Sequence, residues 1–151
     1  MILEDFILEG EVAGIKIGKI ISSSSQVELI QNEEGDIPGL YSCTLENLYF
    51  EITTFSKIVI GIQFDFSYDA EKVYSLRKNN HTFFIGFNTT YEKAQKSLKI
   101  LNVDFKKSTV DDDNFELTLL KSGVSLLFFR NNLNKASIFS MDDYNALSST
   151  F

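Results

Sequence analysis

One histidine, His81, is the residue of this 151-residue chain best suited to acid–base chemistry near neutral pH. Tyr74, Arg77 and Lys78 lie close to it in the sequence, and a ribonuclease could use such a group to move protons. No serine or cysteine signature surrounds His81, so a hydrolytic triad is not indicated. The alternation around Thr82 favours a simpler interpretation, in which His81 is a polar residue at the start of a strand.

Two short acidic segments carry the other side chains that could do chemistry. Asp111, Asp112 and Asp113 have the charge of a calcium loop, but the segment lacks that loop's alternating spacing, its glycine and its distal glutamate. A solvated turn is the favoured interpretation. The other segment contains three acidic residues, Glu33, Glu34 and Asp36. Because the chain also has no glycine-rich phosphate loop, the sequence predicts neither a metal site nor a cofactor.

The charge balance argues against nucleic-acid binding. Lys and Arg number 14 against 21 Asp and Glu, a net charge of −7, whereas nucleic-acid phosphates must be met by cationic side chains. A basic protein partner fits this balance better, although many proteins carry such a charge for solubility alone. With 44% hydrophobic residues and 14 Phe, the chain can bury the core of a single domain, 1–151.

Cys43 and the first residues bear on the compartment. Cys43 is the only cysteine, so an intramolecular disulfide is excluded and a buried, inert thiol is expected. Glu4 and Asp5 make the start acidic where a secretory signal carries positive charge. No apolar run approaches the roughly 20 residues of a membrane span. We therefore expect a cytoplasmic protein that does not enter a membrane.

The strand patterns are clearer than the helix patterns. Over 58–66, apolar residues alternate with other residues at the two-residue period of a half-buried strand. Leu48, Phe50 and Ile52 repeat that alternation, and the short turn at 54–57 makes the two strands an antiparallel hairpin. The second half shows the same device, with strands predicted at 115–119, 124–129 and 136–141.

Each half also contains a helix signal ahead of its strands. Ser25 and Glu28 fit a capping box, which predicts a short helix over 25–30. Thr89 and Glu92 fit the same box in the second half. There the helix is marked by an apolar stripe at spacings of three or four residues, formed by Tyr91, Ala94, Leu98 and Leu101. We expect this stripe to pack on a sheet.

These patterns predict an α+β fold made of two tandem repeats, each a helix packed on an antiparallel β-meander. Repeat one covers about 12–67 and repeat two about 81–142. The polar segment 68–80 is expected to cross the surface between them. In the strand 124–129 both faces carry large apolar residues, so this strand is either central in its sheet or partly exposed for binding.

The chain resembles a loose group of small bacterial immunity proteins that are encoded beside polymorphic or contact-dependent toxins. Three features carry the resemblance: the run Gly14-Ile15-Lys16-Ile17-Gly18, the serine-led helix after it, and the strand pair at Leu48-Tyr49-Phe50 and 57–62. A Leu-Gly-x-Pro run is typical of the first helix of that group, and 30–33 here departs from it. The tandem plan is also similar to β-lactamase inhibitor proteins and to small outer-membrane assembly lipoproteins.

The resemblance implies a non-catalytic immunity protein that neutralises a basic toxin, such as a nuclease, by occluding its active site. Acidic loops would steer the toxin into encounter and aromatic neighbours would hold it. The expected partner-binding residues are Glu33, Glu34, Asp36, Tyr41, Tyr49, Asp111, Asp112 and Asp113. Two other functions stay open: a small-molecule-binding module with a pocket between helix and sheet, and an enzyme that uses His81.

Overall fold

The computed structural model describes residues 2–22 and 25–148, and most of the regular structure in them is β-sheet. In chain order the elements are α1 (Ile2–Glu9), β1 (Val27–Gln31), β2 (Gly39–Leu45), β3 (Leu48–Phe55), β4 (Ile58–Asp65), a 3-10 helix (Phe66–Asp69), β5 (Val73–Lys78), β6 (His81–Gly86), α2 (Tyr91–Ile100), β7 (Phe105–Thr109), β8 (Asn114–Leu119), β9 (Ser125–Phe129), β10 (Asn132–Phe139) and α3 (Met141–Ser148).

The elements fall into two compact units that interleave along the chain. Unit 1 contains Leu3–Gly10 and Asp65–Ser137, and unit 2 contains Glu11–Phe64 and the residues from Ile138 onward. No helix in the described part of the chain combines the length and the apolar character needed to cross a lipid bilayer.

Unit 2 is built on an antiparallel meander with the strand order β1-β2-β3-β4. Two-residue turns join β2 to β3 and β3 to β4, and all four of their residues have positive φ, as type I′ hairpins require. Leu48, Phe50 and Ile52 are buried on one face of β3, and the ring of Phe50 lies 5.2 Å from that of Phe64. The core of unit 2 therefore lies against this face of the meander.

Unit 1 contains the meander β10-β9-β8-β7, the separate hairpin β5-β6 and two helices. Helix α2 packs through Tyr91, whose ring stacks on Phe115 at 4.7 Å and meets Phe128 edge-on at 5.5 Å. Helix α1 buries Leu3, Phe6 and Ile7. Both helices thus supply apolar side chains to the core of this unit.

The predicted fold class, two tandem helix-on-meander repeats over about 12–67 and 81–142, is wrong. Most of the chain over 25–30, predicted as the first helix, belongs to β1 instead, so no helix precedes the meander within the described part of 12–67. Val27 pairs with Cys43 and Leu29 with Tyr41, and this pairing with β2 overrides the weak helix signal of a five-residue run. The predicted serine cap is the run 22–25, and residues 23–24 of it lie outside the described residues.

The connecting segment is also more ordered than predicted. The chain at 68–80 is largely exposed, as predicted, but it is not an irregular connection, because most of it belongs to the 3-10 helix and to β5. Tyr74 and Leu76 of β5 are buried and pair with Ile85 and Phe83 of β6. The alternation of apolar residues in this segment was present in the sequence, but its lysines and asparagines masked it.

Several local predictions are confirmed. The hairpin of β3 and β4 forms, and so does the second meander. Helix α2 buries Ala94, Leu98 and Leu101, although its N-cap is Thr90 rather than Thr89. Strand β4 differs from the prediction in one respect: four consecutive residues, 59–62, are buried. It is covered on both faces of the sheet rather than on one.

Candidate functional site

The eight predicted partner-binding residues fall in both units. Unit 2 holds Glu33, Glu34, Asp36, Tyr41 and Tyr49, and unit 1 holds Asp111, Asp112 and Asp113. The two groups differ in how their side chains are engaged and in the charge that surrounds them.

The acidic loop of unit 2 lies between β1 and β2 and is held by its own backbone. Glu34 and Ile37 exchange two backbone hydrogen bonds of 3.1 and 2.8 Å. Glu33 is partly buried, and its Oε1 accepts a hydrogen bond of 2.7 Å from the backbone N–H of Lys57, which ties the loop to the β3-β4 turn. The side chains of Glu34 and Asp36 are exposed. Glu33 therefore positions the loop, while Glu34 and Asp36 face solvent.

Exposed apolar side chains accompany these carboxylates. Leu29 and Ile30 of β1 are 48% and 53% exposed, and Ile37 of the loop is 52% exposed. Glu28 of β1 is exposed as well. The short loop that carries Glu34 and Asp36 begins where β1 ends, so these side chains line one edge of the sheet, with Glu28 and Leu29 on opposite faces of it. We call this surface the β1 surface, and it consists of Glu28, Leu29, Ile30, Glu34, Asp36 and Ile37.

The negative charge of the chain is concentrated in unit 2. Unit 2 carries nine Asp or Glu residues against three lysines, whereas unit 1 carries twelve against eleven Lys or Arg. Nearly all of the net charge of −7 therefore belongs to unit 2. The segment 20–56 contains six acidic residues and no Lys, Arg or His. The absence of basic residues over 20–56 is the sequence signal that could have identified the β1 surface.

Tyr41 and Tyr49 do not form a common anchor. Paired residues of antiparallel strands project to the same face of the sheet. Tyr41 pairs with Ile52, which belongs to the buried face, whereas Tyr49 pairs with Thr44. The two tyrosines therefore lie on opposite faces of the meander. Tyr49 is 40% exposed and Tyr41 is partly buried, so a partner on one face could contact only one of them.

The acidic loop of unit 1 has the geometry of a capped turn. Oδ1 of Asp111 accepts a hydrogen bond of 3.0 Å from the backbone N–H of Asp113, and Oδ2 accepts one of 2.7 Å from the amide of Asn114. The hydrogen bond from the Asp113 N–H is the main cause that lowers the pKa of Asp111 below its usual value. The bond from the side-chain amide of Asn114 lowers this pKa further. Asp112 and Asp113 are exposed. Asp111 therefore stabilises the turn between β7 and β8.

Unit 1 also contains an open cleft of about 600 Å³. It is bounded by α1, the end of β5, the segment after α2 and the β8-β9 turn. Lys121 forms a 3.0 Å ion pair with Glu9, and Glu4 accepts a hydrogen bond from the backbone N–H of Arg77. Asp5, Lys78 and Asp104 also line the cleft. Its lining thus mixes both signs of charge, with no single sign dominating.

The residues proposed for acid–base chemistry do not converge. His81 is the exposed first residue of β6 and pairs with Lys78. Arg77 is adjacent to Lys78 in β5, so its side chain projects to the opposite face, and Tyr74 lies four rungs along the hairpin from His81. The prediction that His81 begins a strand is confirmed. Within residues 2–22 and 25–148, no three His, Cys, Asp or Glu side chains are grouped to hold a metal ion.

Comparison of the chain with protein-family models, with curated proteins and with solved structures finds no match.

Proposed function

We propose that this chain is a non-catalytic binding protein that recognises a basic protein through the β1 surface. In the specific form of this proposal it is a cytoplasmic immunity protein that covers the active site of a toxin, such as a basic nuclease. The observation that carries the proposal is the concentration of negative charge in unit 2 beside exposed Leu29, Ile30 and Ile37.

The two kinds of side chain on the β1 surface have different roles in this proposal. Carboxylates of Glu28, Glu34 and Asp36 would attract a positively charged partner and raise the rate of encounter. For a nuclease, they would occupy the place of substrate phosphates. The apolar side chains would be desolvated in the complex, and desolvated contacts at the centre of an interface carry most of its affinity. The combination supports a specific partner rather than solubility alone.

The first experiment tests immunity directly. The chain is co-expressed with the C-terminal domain of a toxin encoded beside its gene, and growth and co-purification are measured. We expect growth to be restored and the two proteins to co-purify. Continued toxicity and the absence of a complex would contradict the immunity proposal.

The second experiment locates the contact. Association of that toxin domain is measured with Glu34→Gln/Asp36→Asn and with the matched variant Asp112→Asn/Asp113→Asn, which removes the same charge from unit 1. Neutralising the β1 surface is expected to lower the association rate by about three- to tenfold and to weaken its salt dependence. The unit 1 variant should change neither. Equal effects of the two variants would remove the β1 surface from the proposal.

A second candidate function is the binding of a small polar molecule in the cleft of unit 1. Its volume of about 600 Å³ lies within the range of ligand pockets, and its mixed charges would suit a ligand with both positive and negative groups. Amide chemical shifts of Leu8, Val103 and Ser122 should then change on addition of zwitterionic fragments. Shifts that stay constant across such a library would exclude this function.

A further inference from the structure

Among the described residues of unit 2, no strand pairs with the outer edge of β1. β1 is the terminal strand of the order β1-β2-β3-β4. The N–H of Thr44 donates to the carbonyl of Gln26 at 3.0 Å, so the backbone groups of Gln26 point toward β2. Successive residues of a strand alternate in direction. The N–H and C=O groups of Val27 and Leu29 therefore point away from β2.

The side chains of β1 include neither lysine nor proline, the residues that most often protect an edge strand. Protein sheets commonly guard edge strands with lysine or proline, because an unguarded edge pairs with other strands. β7, the terminal strand of the unit 1 meander, follows this rule with exposed Lys106 and Lys107. β1 has neither residue type in its sequence Val-Glu-Leu-Ile-Gln, and four of its five residues are exposed. The edge strand β7 therefore carries exposed lysines, whereas the edge strand β1 carries none.

The β-bulge in β1 still allows another strand to pair with this edge. The register with β2 shifts between Leu29 and Gln31, so Ile30 has no partner in β2. The regular part, Val27 to Leu29, stays paired with β2 and keeps its outer groups aligned. The bulge also places the exposed side chain of Ile30 beside this edge.

We infer that β1 binds an extended, basic segment of the partner, which adds to the sheet as a further strand. This inference rests on the proposed function and specifies how its partner is recognised. Val27 and Leu29 offer two N–H donors and two C=O acceptors, and backbone pairing of this kind supplies affinity in strand addition. Glu28, Glu34 and Asp36 select positive charge on the added segment.

Charge complementarity also decides between a basic segment and a second copy of this chain. Pairing two β1 edges antiparallel over Val27 to Leu29 would place Glu28 of one copy opposite Glu28 of the other. Like charges placed opposite each other destabilise strand pairs. A strand that alternates lysine with valine meets no such repulsion, so the basic segment is the occupant that the edge favours.

The test uses two synthetic peptides of equal charge. One is an acetylated and amidated octapeptide of alternating lysine and valine, and the other is identical except that the backbone nitrogens of all eight residues are methylated, which removes the donors on both edges of the strand. Methylation removes the donors needed for strand pairing and leaves the charge unchanged. We expect the methylated peptide to bind at least tenfold more weakly by calorimetry. We also expect the unmethylated peptide to slow hydrogen exchange of the Val27 and Leu29 amides.

A pair of protein variants tests the same edge without changing charge. Because the N–H of Leu29 points outward, Leu29→Pro removes a donor that the sheet of unit 2 does not use, as edge positions permit. Leu29→Ala removes the side chain and keeps the donor. Binding of the unmethylated peptide should fall at least tenfold further in Leu29→Pro than in Leu29→Ala. Circular dichroism checks that both variants fold. If Leu29→Pro does not fold, the comparison of the two peptides alone tests whether β1 pairs with an added strand.

The outcomes separate the inference from the proposed function. Equal binding of both peptides, weakened by Glu34→Gln/Asp36→Asn, would overturn strand addition while supporting recognition of a basic partner. Binding that is unaffected by those two substitutions would contradict the proposed function. A concentration-dependent dimer that buries Val27 and Leu29 without peptide would overturn the inference in favour of a second copy. No binding of either peptide would overturn it as well.

Discussion

Thr54 of β3 is fully buried, and within the described residues its hydroxyl has no hydrogen-bond partner. The hydroxyl faces Gly39 of the neighbouring strand. A Cβ at Gly39 would lie 2.5 Å from Thr54 Oγ1 and 2.8 Å from Cγ of Glu33. Gly39 is thus required because a side chain would collide there, close to the glutamate that positions the acidic loop.

We expect Thr54→Val to stabilise unit 2 by about 1 kcal/mol, because it replaces a buried, unpaired hydroxyl with a methyl group of similar size. Thr54→Ser is the control, since it keeps the hydroxyl and removes the methyl group, and it should destabilise the protein. Urea unfolding measures both free energies. A destabilised Thr54→Val variant would show that the hydroxyl makes a favourable interaction.

Asp111 should make the stability of the protein depend on pH in a defined direction. Its folded pKa lies below the ordinary value of 3.8 because the Asp113 N–H and the Asn114 amide donate to the charged carboxylate. A lowered folded pKa contributes stability above the unfolded value, and that contribution is lost as pH falls through the folded pKa. Asp111→Ala should therefore be less stable than the parent at pH 7, and the difference should shrink below pH 3.8. Urea unfolding at pH 7 and at about pH 2 measures it, and a constant difference would contradict the assignment.

Helix α2 shows how one hydroxyl fixes the start of an element. Both Thr89 and Thr90 precede the helix, but their side chains do different things. The hydroxyl of Thr90 accepts a bond of 3.2 Å from the N–H of Lys93, whereas the hydroxyl of Thr89 accepts one of 3.0 Å from Gly86. Thr90 is therefore the cap, and Thr89 closes the turn after β6.

Thr90→Ala should destabilise the protein by about 1 kcal/mol, because an N–H in the first turn of α2 loses its acceptor. Thr90→Ser keeps an acceptor at the same place and should retain most of the stability. Thermal unfolding followed by circular dichroism compares the two. If serine does not restore the loss, the contribution of Thr90 comes from packing of its methyl group.

Helix α1 is short, yet it is a core element of unit 1. We expect Phe6→Ala to destabilise the protein by about 3–5 kcal/mol, because a fully buried aromatic side chain leaves a cavity. The control is Phe84→Ala, since Phe84 of β6 is 61% exposed and its loss should change little. Urea unfolding of both variants tests the difference. Similar small effects would mean that α1 is not part of the cooperative core.

At the scale of the whole molecule, the two units differ most in charge. Their chain segments interleave, so charge asymmetry is not visible as an acidic half and a neutral half of the sequence. It becomes visible when the residues are sorted by unit. In the proposed function, a basic partner would be attracted more strongly to unit 2 than to the nearly neutral unit 1.

Anion-exchange chromatography can test this asymmetry without a partner. Glu34→Gln/Asp36→Asn and Asp112→Asn/Asp113→Asn each remove two negative charges, so their net charges are equal. Because a charged resin contacts the most negative surface of a protein, the unit 2 variant should elute at clearly lower salt than the unit 1 variant. Coincident elution would show that the resin does not distinguish the two acidic loops.

What the sequence determined by itself were the features with a local cause. The β3-β4 hairpin followed from alternating residues around a short turn, and α2 from an apolar stripe behind a hydroxyl cap. The burial of Cys43 was also predicted, and that burial raises the pKa of its thiol. For the hairpin and the helix, residues within about ten positions of one another supply these interactions, so the sequence pattern is a sufficient guide.

Tertiary structure alone decided the features whose partners are distant in the chain. The segment of β1 has little preference of its own, and pairing with β2 makes it a strand. α1 showed no periodicity long enough to predict a helix, and the core of unit 1 buries it. The candidate site followed the same rule. Glu34 and Asp36 were predicted, but Glu28, Leu29 and Ile30 joined them only because β1 lies at the edge of its sheet and stays exposed. Strand order is a property of long-range pairing, which residue spacing does not encode.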